Sequence, residues 1–334
     1  MCIPARLAGW ARLWPLGLLA MLCGCGSQVQ LLGAWGQYMF SAQDVLVLPG
    51  EQVQLRSCLE GGDLLSDQPG YLVRYRLGPR VLAVAQTDEE GYATAAFTPR
   101  APGDYHIVAQ VVPMGFAPGT APPPADLLVS CRPADTPILV VDLDKTVVAS
   151  DFRRVLLGEA QAMPGADEVL RRLAREYTIV YLSQRPEFFG PSSKRWLGEH
   201  GFPRSVVILG QPRDLLGDSA KYKAAALARL KQRFTALRAS VDDRPEDAHV
   251  YAQAGLHAIL LLGPNLGGDR AHLEQLADRL AQLPPDVEVV QDWPQVRQAL
   301  LEGRRFPPAQ AAQRVRELAR AAPASLPAAP EAAP

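Results

Sequence analysis

The chain has 334 residues, 48% of them hydrophobic and 21% charged, with 34 basic against 35 acidic side chains and a formal charge of -1. That is enough apolar material for roughly two domains of about 150 residues each. The balance of charge excludes a bulk electrostatic attraction to nucleic acid, so any anion the chain handles must be met locally.

Residues 1–24 have the form of an export signal: Arg6 and Arg12 are positive, and the apolar run 13–22 is far too short for a membrane span of about 20 residues. Residues 25–42 lack periodicity, contain Gly26, Gly33 and Gly36, and read as a tether. From 43 to 134 the sequence consists of short alternating runs, at 45–48, 53–55, 72–75, 81–85, 92–97, 105–112 and 127–130, bounded by turn residues such as Pro49-Gly50. That spacing predicts an all-β sandwich. Gly91 and Gly103 fall where turns need a permissive backbone, and Tyr92, Ala96 or Phe97, and Tyr105 fall at strand alternation, which would place them between the sheets.

From 135 to 305 strand and helix alternate. Apolar runs at 138–141, 178–182, 205–209, 239–241, 257–262 and 287–290 are separated by helical patterns at 166–176, 192–200, 220–233 and 246–254, with a last one at 295–301. Fully apolar strands such as Ile138-Leu139-Val140-Val141 suit a sheet covered on both faces, so this part predicts an α/β fold with a doubly wound parallel sheet. Residues 306–334 form an Ala/Pro-rich tail with one amphipathic segment, 311–321, and a low-complexity end expected to be disordered.

Leu22-Cys23-Gly24-Cys25 resembles the bacterial lipobox, in which a small residue precedes a cysteine that is lipidated and becomes the new N-terminus. The resemblance implies lipidation at Cys25 and an exported lipoprotein of the cell envelope, on the periplasmic side of the outer membrane. The alternative is an ordinary cleaved signal with two incidental cysteines. With Cys2 and Cys23 removed and Cys25 lipidated, Cys58 and Cys131 remain as an even pair in an oxidising compartment, and a disulfide between them is expected, two buried thiols being the alternative. Residues 87–105, with Thr87-Asp88-Glu89-Glu90-Gly91-Tyr92-Ala93, Phe97-Thr98-Pro99 and Pro102-Gly103-Asp104-Tyr105, resemble the immunoglobulin-like repeats of bacterial surface proteins.

Each apolar strand of the second domain ends in polar residues, where doubly wound folds bind ligands. Val140-Val141-Asp142-Leu143-Asp144-Lys145-Thr146 sends two carboxylates from one strand end, a natural site for magnesium. Ser183 closes the second strand, a lysine opens the helix before Ala224-Ala225-Ala226-Leu227, and Asp242-Asp243-Arg244-Pro245-Glu246-Asp247 follows a short apolar strand. Singly these read as a turn, a helix cap and a solvated acidic loop. In this order they resemble the four motifs of the haloacid dehalogenase superfamily. The resemblance implies Asp142 as nucleophile, Asp144 as general acid and base, and Ser183 and Lys223 as phosphate ligands, with Lys223 preferred to Lys221. It also implies Asp243 and Asp247 as the pair completing a Mg2+ site with Asp142 and Asp144, and Asp242 as alternate. Lys145 stands where the family usually has glycine.

About 41 residues separate Asp142 from Ser183 and about 40 separate Ser183 from Lys223, which leaves no room for a cap domain of the usual size, so the fold is expected to be capless and the site open. Ser183-Gln184-Arg185-Pro186, Trp196-Leu197 and Asp243-Arg244-Pro245-Glu246-Asp247 with Tyr251 and Gly255 resemble the lipin-type phosphatidate phosphatase domain over residues 142–262. Arg185 is expected either to contact a phosphate or head group or to make a surface salt bridge. The resemblance implies a Mg2+-dependent phosphomonoester hydrolase acting on phosphatidate or another membrane phosphomonoester. Two alternatives are a phosphatidate-binding sensor or tether without catalysis, and a periplasmic acid phosphatase for soluble esters. The five histidines show no metal-ligand spacing, and no serine-hydrolase or zinc motif is present.

Overall fold

The computed structural model describes residues 38–61, 66–150, 160–211, 214 and 217–323. The export signal, Cys25 and residues 324–334 lie outside them. Among the described residues no helix is long and apolar enough to cross a membrane.

The N-terminal part contains β1 (Met39–Ala42), β2 (Val45–Val47), β3 (Val53–Gly61), β4 (Ser66–Asp67), β5 (Leu72–Leu77), β6 (Arg80–Gln86), β7 (Tyr92–Phe97), β8 (Gly103–Val111) and β9 (Ala125–Cys131). One sheet is built on β3, which pairs antiparallel with β1, β4 and β7; the other runs β2-β9-β8-β5-β6. β1 corrects the boundary of the tether. Four residues are too few to show a period, and pairing with β3, from Met39 opposite Glu60 to Ala42 opposite Ser57, makes the strand.

Parity along β3 and β7 decides what fills the sandwich. Val53, Leu55 and Leu59 face inward, and Ser57 is hydrogen-bonded at 2.8 Å to the hydroxyl of buried Tyr75, which itself donates to the Ala93 carbonyl at 2.7 Å. Ala93 and Ala95 are the inward residues of β7, while Phe97 and Tyr105 pack half-buried against the core. Tyr92 therefore does not sit between the sheets as expected. Its ring lies 3.6 Å beneath the Arg56 guanidinium on the outer face, and its hydroxyl donates to Glu187 of the second domain. Gly91 does occupy a turn: its φ is +77°, and a Cβ there would fall 2.5 Å from the Leu59 carbonyl.

The same alternation overturns the disulfide. Cys131 points into the core, whereas Cys58 alternates with Leu59 and points outward, where burial and the nearby carboxylates of Glu60 and Glu187 push its thiol well up. Both are buried free thiols. A cysteine on the outer face of one sheet and one pointing into the core from the other cannot bring their sulfurs together without moving the backbone.

The second domain has β10 (Ile138–Val141), β11 (Thr178–Pro186), β12 (Val206–Gly210), β13 (Leu237–Asp242), β14 (His257–Leu261) and β15 (Glu288–Val290). All pair in parallel, in the order β12-β11-β10-β13-β14-β15. Counted within the domain this is 3-2-1-4-5-6, a doubly wound order whose switch point lies between β10 and β13. The helices are α1 (Ala166–Leu173), α2 (Gly190–Glu199), α3 (Ser219–Lys231), α4 (Pro245–Gln253), α5 (Arg270–Ala281), α6 (Trp293–Glu302) and α7 (Pro308–Ala321). Ile138 and Val140 face the layer of α3, α4, α5 and α7; Leu139 and Val141 face that of α1, α2 and α6. This is why β10 is apolar at every position.

Helix α5 was not among the helices expected, although Leu273, Leu276, Ala277 and Leu280 recur at helical spacing, and α7 covers the amphipathic segment 311–321 that was assigned to the tail rather than to the domain. Leu273, Leu276, Ala277 and Leu280 of α5 share one apolar layer with Ala311, Ala312, Val315 and Ala319 of α7, so the tail from 306 belongs to the fold as far as it is described. The sandwich docks on the same layer through Leu46 and Leu128.

Candidate active site

Five strand ends and the helices after them bring Asp142, Asp144, Ser183, Arg185, Lys223 and Asp243 to one cavity of about 480 Å³ at the switch point. Asp142 follows β10, its backbone N–H bonded to the Val241 carbonyl at 3.0 Å, and only 5% of its surface is exposed. The loop beyond it is pinned by Trp293, whose indole N–H donates to the Thr146 carbonyl at 2.9 Å. Ser183 and Arg185 extend from β11, Lys223 lies one turn into α3, and Asp243 follows β13 just before Pro245 starts α4. Asp218 caps α3, accepting from the Ala220 N–H at 2.9 Å, which fixes where that first turn begins.

Lys223 is buried and its Nζ meets three carboxylates: Asp142 at 2.9 Å, Asp242 at 2.6 Å and Asp247 at 2.8 Å. Lys221, the rejected neighbour, is exposed. Burial opposes the charged form of Lys223, but Asp142 and Asp242 outweigh it and hold its pKa well above the ordinary value. Burial pushes Asp142 up to about 7, with Lys223 pulling the other way and Asp243 and Asp144 adding to the rise. Asp242 and Asp243 are raised by burial as well, against the pull of Lys223.

Asp142, Asp242 and Asp243 each offer an oxygen, all within 4.8 Å of one another. With Asp247 the group holds four carboxylates against one ammonium, an excess of buried negative charge that a divalent cation would relieve. Oxygen donors of this kind suit Mg2+, so the residues present fit it. The membership corrects the expected metal pair. Asp247 is fully buried on α4, one of its oxygens occupied by Lys223 and by Ser219 Oγ at 2.9 Å, and it serves to hold the lysine; its other oxygen, Oδ1, is buried without a hydrogen-bond partner. The alternate, Asp242, stands in the converging set instead, and Asp144 does not.

Asp144 instead faces Arg185. The guanidinium donates to both carboxylate oxygens, at 2.8 and 2.7 Å, and its remaining nitrogen bonds Ser193 Oγ at 3.0 Å. Arg185 is thus neither a surface salt bridge nor a free phosphate ligand: it is 4% exposed and orients the carboxylate. Ser183 Oγ lies 3.4 Å from the same Asp144 oxygen.

Some residues at the cavity were not foreseen. Asn265, in the short turn after β14, donates to the Asp243 carbonyl at 2.6 Å, and His272, Leu276 and Arg279 of α5 form one wall. The polar end of β14 was the available signal for Asn265. For the α5 wall the signal was the helical spacing of Leu273, Leu276, Ala277 and Leu280 behind the cap Asp269, which the expected set of helices omitted.

No curated protein matches the chain. Among solved structures it is similar to a CARDB domain from Pyrococcus furiosus, with 18% identity, 29% of this chain and 86% of that one covered, and a TM-score of 0.22. It is also similar to a phosphoserine phosphatase held as a phospho-aspartyl intermediate analogue, with 14% identity, 38% and 87% covered, and a TM-score of 0.27. A third, the Pnkp1/Rnl/Hen1 RNA repair complex, has 16% identity, 39% and 45% covered, and a TM-score of 0.34. Residues 139–261, the stretch from β10 to β14 that carries Asp142 through Asp247, match the family model described as the LNS2 domain of PITM 1-3.

Proposed function

We propose that the chain is a Mg2+-dependent phosphomonoester hydrolase that works through an aspartyl-phosphate intermediate at a membrane surface. One observation carries the reading. Asp142 stands at the switch point with the Lys223 ammonium 2.9 Å away, two further carboxylates converging beside it and Asp144 held across the same cavity.

An Asp142 oxygen would attack phosphorus while the bond to the ester oxygen breaks, and Asp144 would give that oxygen its proton. Asp144 would then take a proton from the water that attacks the aspartyl-phosphate, releasing phosphate and restoring Asp142. Ser183 would donate to a phosphoryl oxygen, and Lys223 would neutralise both nucleophile and phosphate. Asp142, Asp242 and Asp243 would hold the magnesium, which when bound supplies positive charge against the phosphoryl oxygens. The membrane setting rests on the lipobox-like run ending at Cys25 and on the open cavity, where a head-group phosphate need rise only slightly from the interface.

One contact favours a second reading, in which the domain binds a phosphomonoester without cleaving it: Arg185 occupies both oxygens of Asp144, the group needed for proton transfer. The test is phosphate release from phosphatidate in mixed micelles and from a panel of soluble monoesters, with and without chelator and with Asp142→Asn as the blank. Metal-dependent release that disappears in Asp142→Asn supports the hydrolase. Saturable binding with no release from any ester rejects it in favour of the second reading.

A further inference from the structure

At the phosphoryl-binding end of the cavity each cation already has a carboxylate partner. Lys223 answers Asp142, Asp242 and Asp247; Arg185 answers Asp144; and at the rim Arg279 answers Glu246 at 3.2 Å. Two cations are left over. Lys145 and Arg244 both line the cavity and are exposed, and among the described residues neither side chain makes a hydrogen bond or ion pair. Both line the same cavity as Asp243.

Exposed cations are common and need no explanation by themselves. Lys145 needs one because of its backbone. Its φ is +57°, and among the described residues it is the one non-glycine with a positive φ. A side chain is disfavoured in that left-handed region, and such strain clusters at functional sites. Glycine is what the related motif usually carries there. Here the position instead presents an exposed ammonium at the cavity, three residues after the nucleophile.

We infer that Lys145 and Arg244 form a second anion subsite, and that the preferred substrate is a phosphomonoester whose leaving group bears a further anionic group, a phosphodiester or carboxylate. This rests on the hydrolase reading for the orientation of the ester. The phosphoryl group is met by Lys223 and Ser183 inside, so the outer pair is available to the rest of the molecule. Such chemistry could come from a lipid head group or from a soluble metabolite.

The test uses matched pairs on the full chain: a carboxyalkyl phosphate against an alkyl phosphate of equal length, and, in micelles, a lipid with both a phosphodiester and a terminal phosphomonoester against phosphatidate. The expected result is a kcat/KM ratio of roughly ten or more for the doubly anionic member of at least one pair, shrinking with salt. A preference within the lipid pair alone assigns a lipid source, and one within the soluble pair a soluble source. The ratio should fall towards one in Lys145→Gly combined with Arg244→Gln and persist in Lys145→Arg, a contrast a merely structural role would not produce. A wild-type ratio near one in both pairs, or a ratio untouched by the double variant, overturns the subsite. If no ester is cleaved, the hydrolase reading fails separately, and calorimetric binding of the same pairs decides the subsite: tighter binding of the doubly anionic member supports it, and equal binding overturns it.

Discussion

Asp44, between β1 and β2, accepts from Lys194 Nζ at 2.6 Å, so a sandwich carboxylate with 2% of its side chain exposed is paired to a lysine on α2. The same carboxylate accepts from the Leu128 N–H at 2.8 Å within the sandwich and from the Val207 N–H of β12 at 3.0 Å. One side chain therefore satisfies backbone donors in both domains. The two are one packed body, since Leu46, Leu128 and the Arg233–Glu51 pair lie on the same seam.

Removing that carboxylate strands two buried N–H groups and leaves the Lys194 ammonium with the Ala42 and Asp126 carbonyls but without its counter-charge. Asp44→Ala is expected to destabilise the protein by about 3 kcal/mol, and Lys194→Met by less, because the backbone donors keep their acceptor. Urea unfolding of the three proteins checks the order. Equal midpoints would show that the seam carries no stability.

The seam also carries a pH dependence. Glu60 is buried on the outer face of β3, where burial, with Glu187 and Asp67 adding to it, pushes its carboxyl up to about 7 from 4.5. A folded state that holds its proton longer than the unfolded one loses stability as pH rises between those two values and levels off above them. That loss amounts to at most about 3 kcal/mol. The metal-free protein should therefore have a lower unfolding midpoint at pH 8 than at pH 5.5, and Glu60→Gln should flatten the slope. A slope of opposite sign, or one indifferent to Glu60→Gln, would remove Glu60 as its source.

What the sequence revealed and what it hid follow from the range of the forces involved. The strands Ile138–Val141 and His257–Leu261 were legible because burial on both faces demands an unbroken apolar run. Asp142, Ser183 and Lys223 were legible because strand ends and helix starts fix where such residues point. The partner of a long side chain is not fixed by local pattern. Asp243 and Asp247 lie four residues apart, yet α4 begins between them and turns one towards the converging carboxylates and the other towards Lys223 and Ser219. Tyr92 and Cys58 were misplaced for a related reason: a one-residue difference in strand parity exchanges the core face for the outer one, and Tyr92 is as apolar as a core residue needs to be.

The reassignment of Asp247 makes a distinction that thermal shift can read. Mg2+ at about a hundred times its dissociation constant stabilises a folded state by about 2.7 kcal/mol. Wild type and Asp247→Asn should both show a Mg2+-dependent rise in Tm, while Asp243→Asn should lose it. Loss in Asp247→Asn with retention in Asp243→Asn would return the metal to the pair first expected.

Cys58 and Cys131 should both react with an alkylating reagent after unfolding without reductant, and peptide mass spectrometry of the purified protein reads each site. Reductant should leave Tm unchanged, since no cross-link constrains the unfolded chain. A linked peptide containing both cysteines would contradict the placement of Cys131 in the core and Cys58 outside it.

Lys145 should be costly to the fold. A left-handed backbone disfavours a side chain by roughly 1–2 kcal/mol, while glycine gives back roughly 0.5–1 kcal/mol through its freer unfolded chain. The two effects leave Lys145→Gly more stable than wild type by about 0.5–1 kcal/mol. Lys145→Ala separates backbone from charge: it keeps the φ of +57° and the strain but removes the ammonium, so its stability should stay close to wild type. The exposed side chain makes no hydrogen bond or ion pair whose loss would confuse the comparison. Denaturation of the three proteins should thus rank glycine above lysine and alanine together, whereas the doubly anionic substrate preference should rank lysine above both. Opposite rankings in the two measurements would mark a residue kept for its charge at the expense of the fold. If alanine and glycine are equally stable, the backbone at 145 is not strained, and the case for a retained cation rests on its position alone.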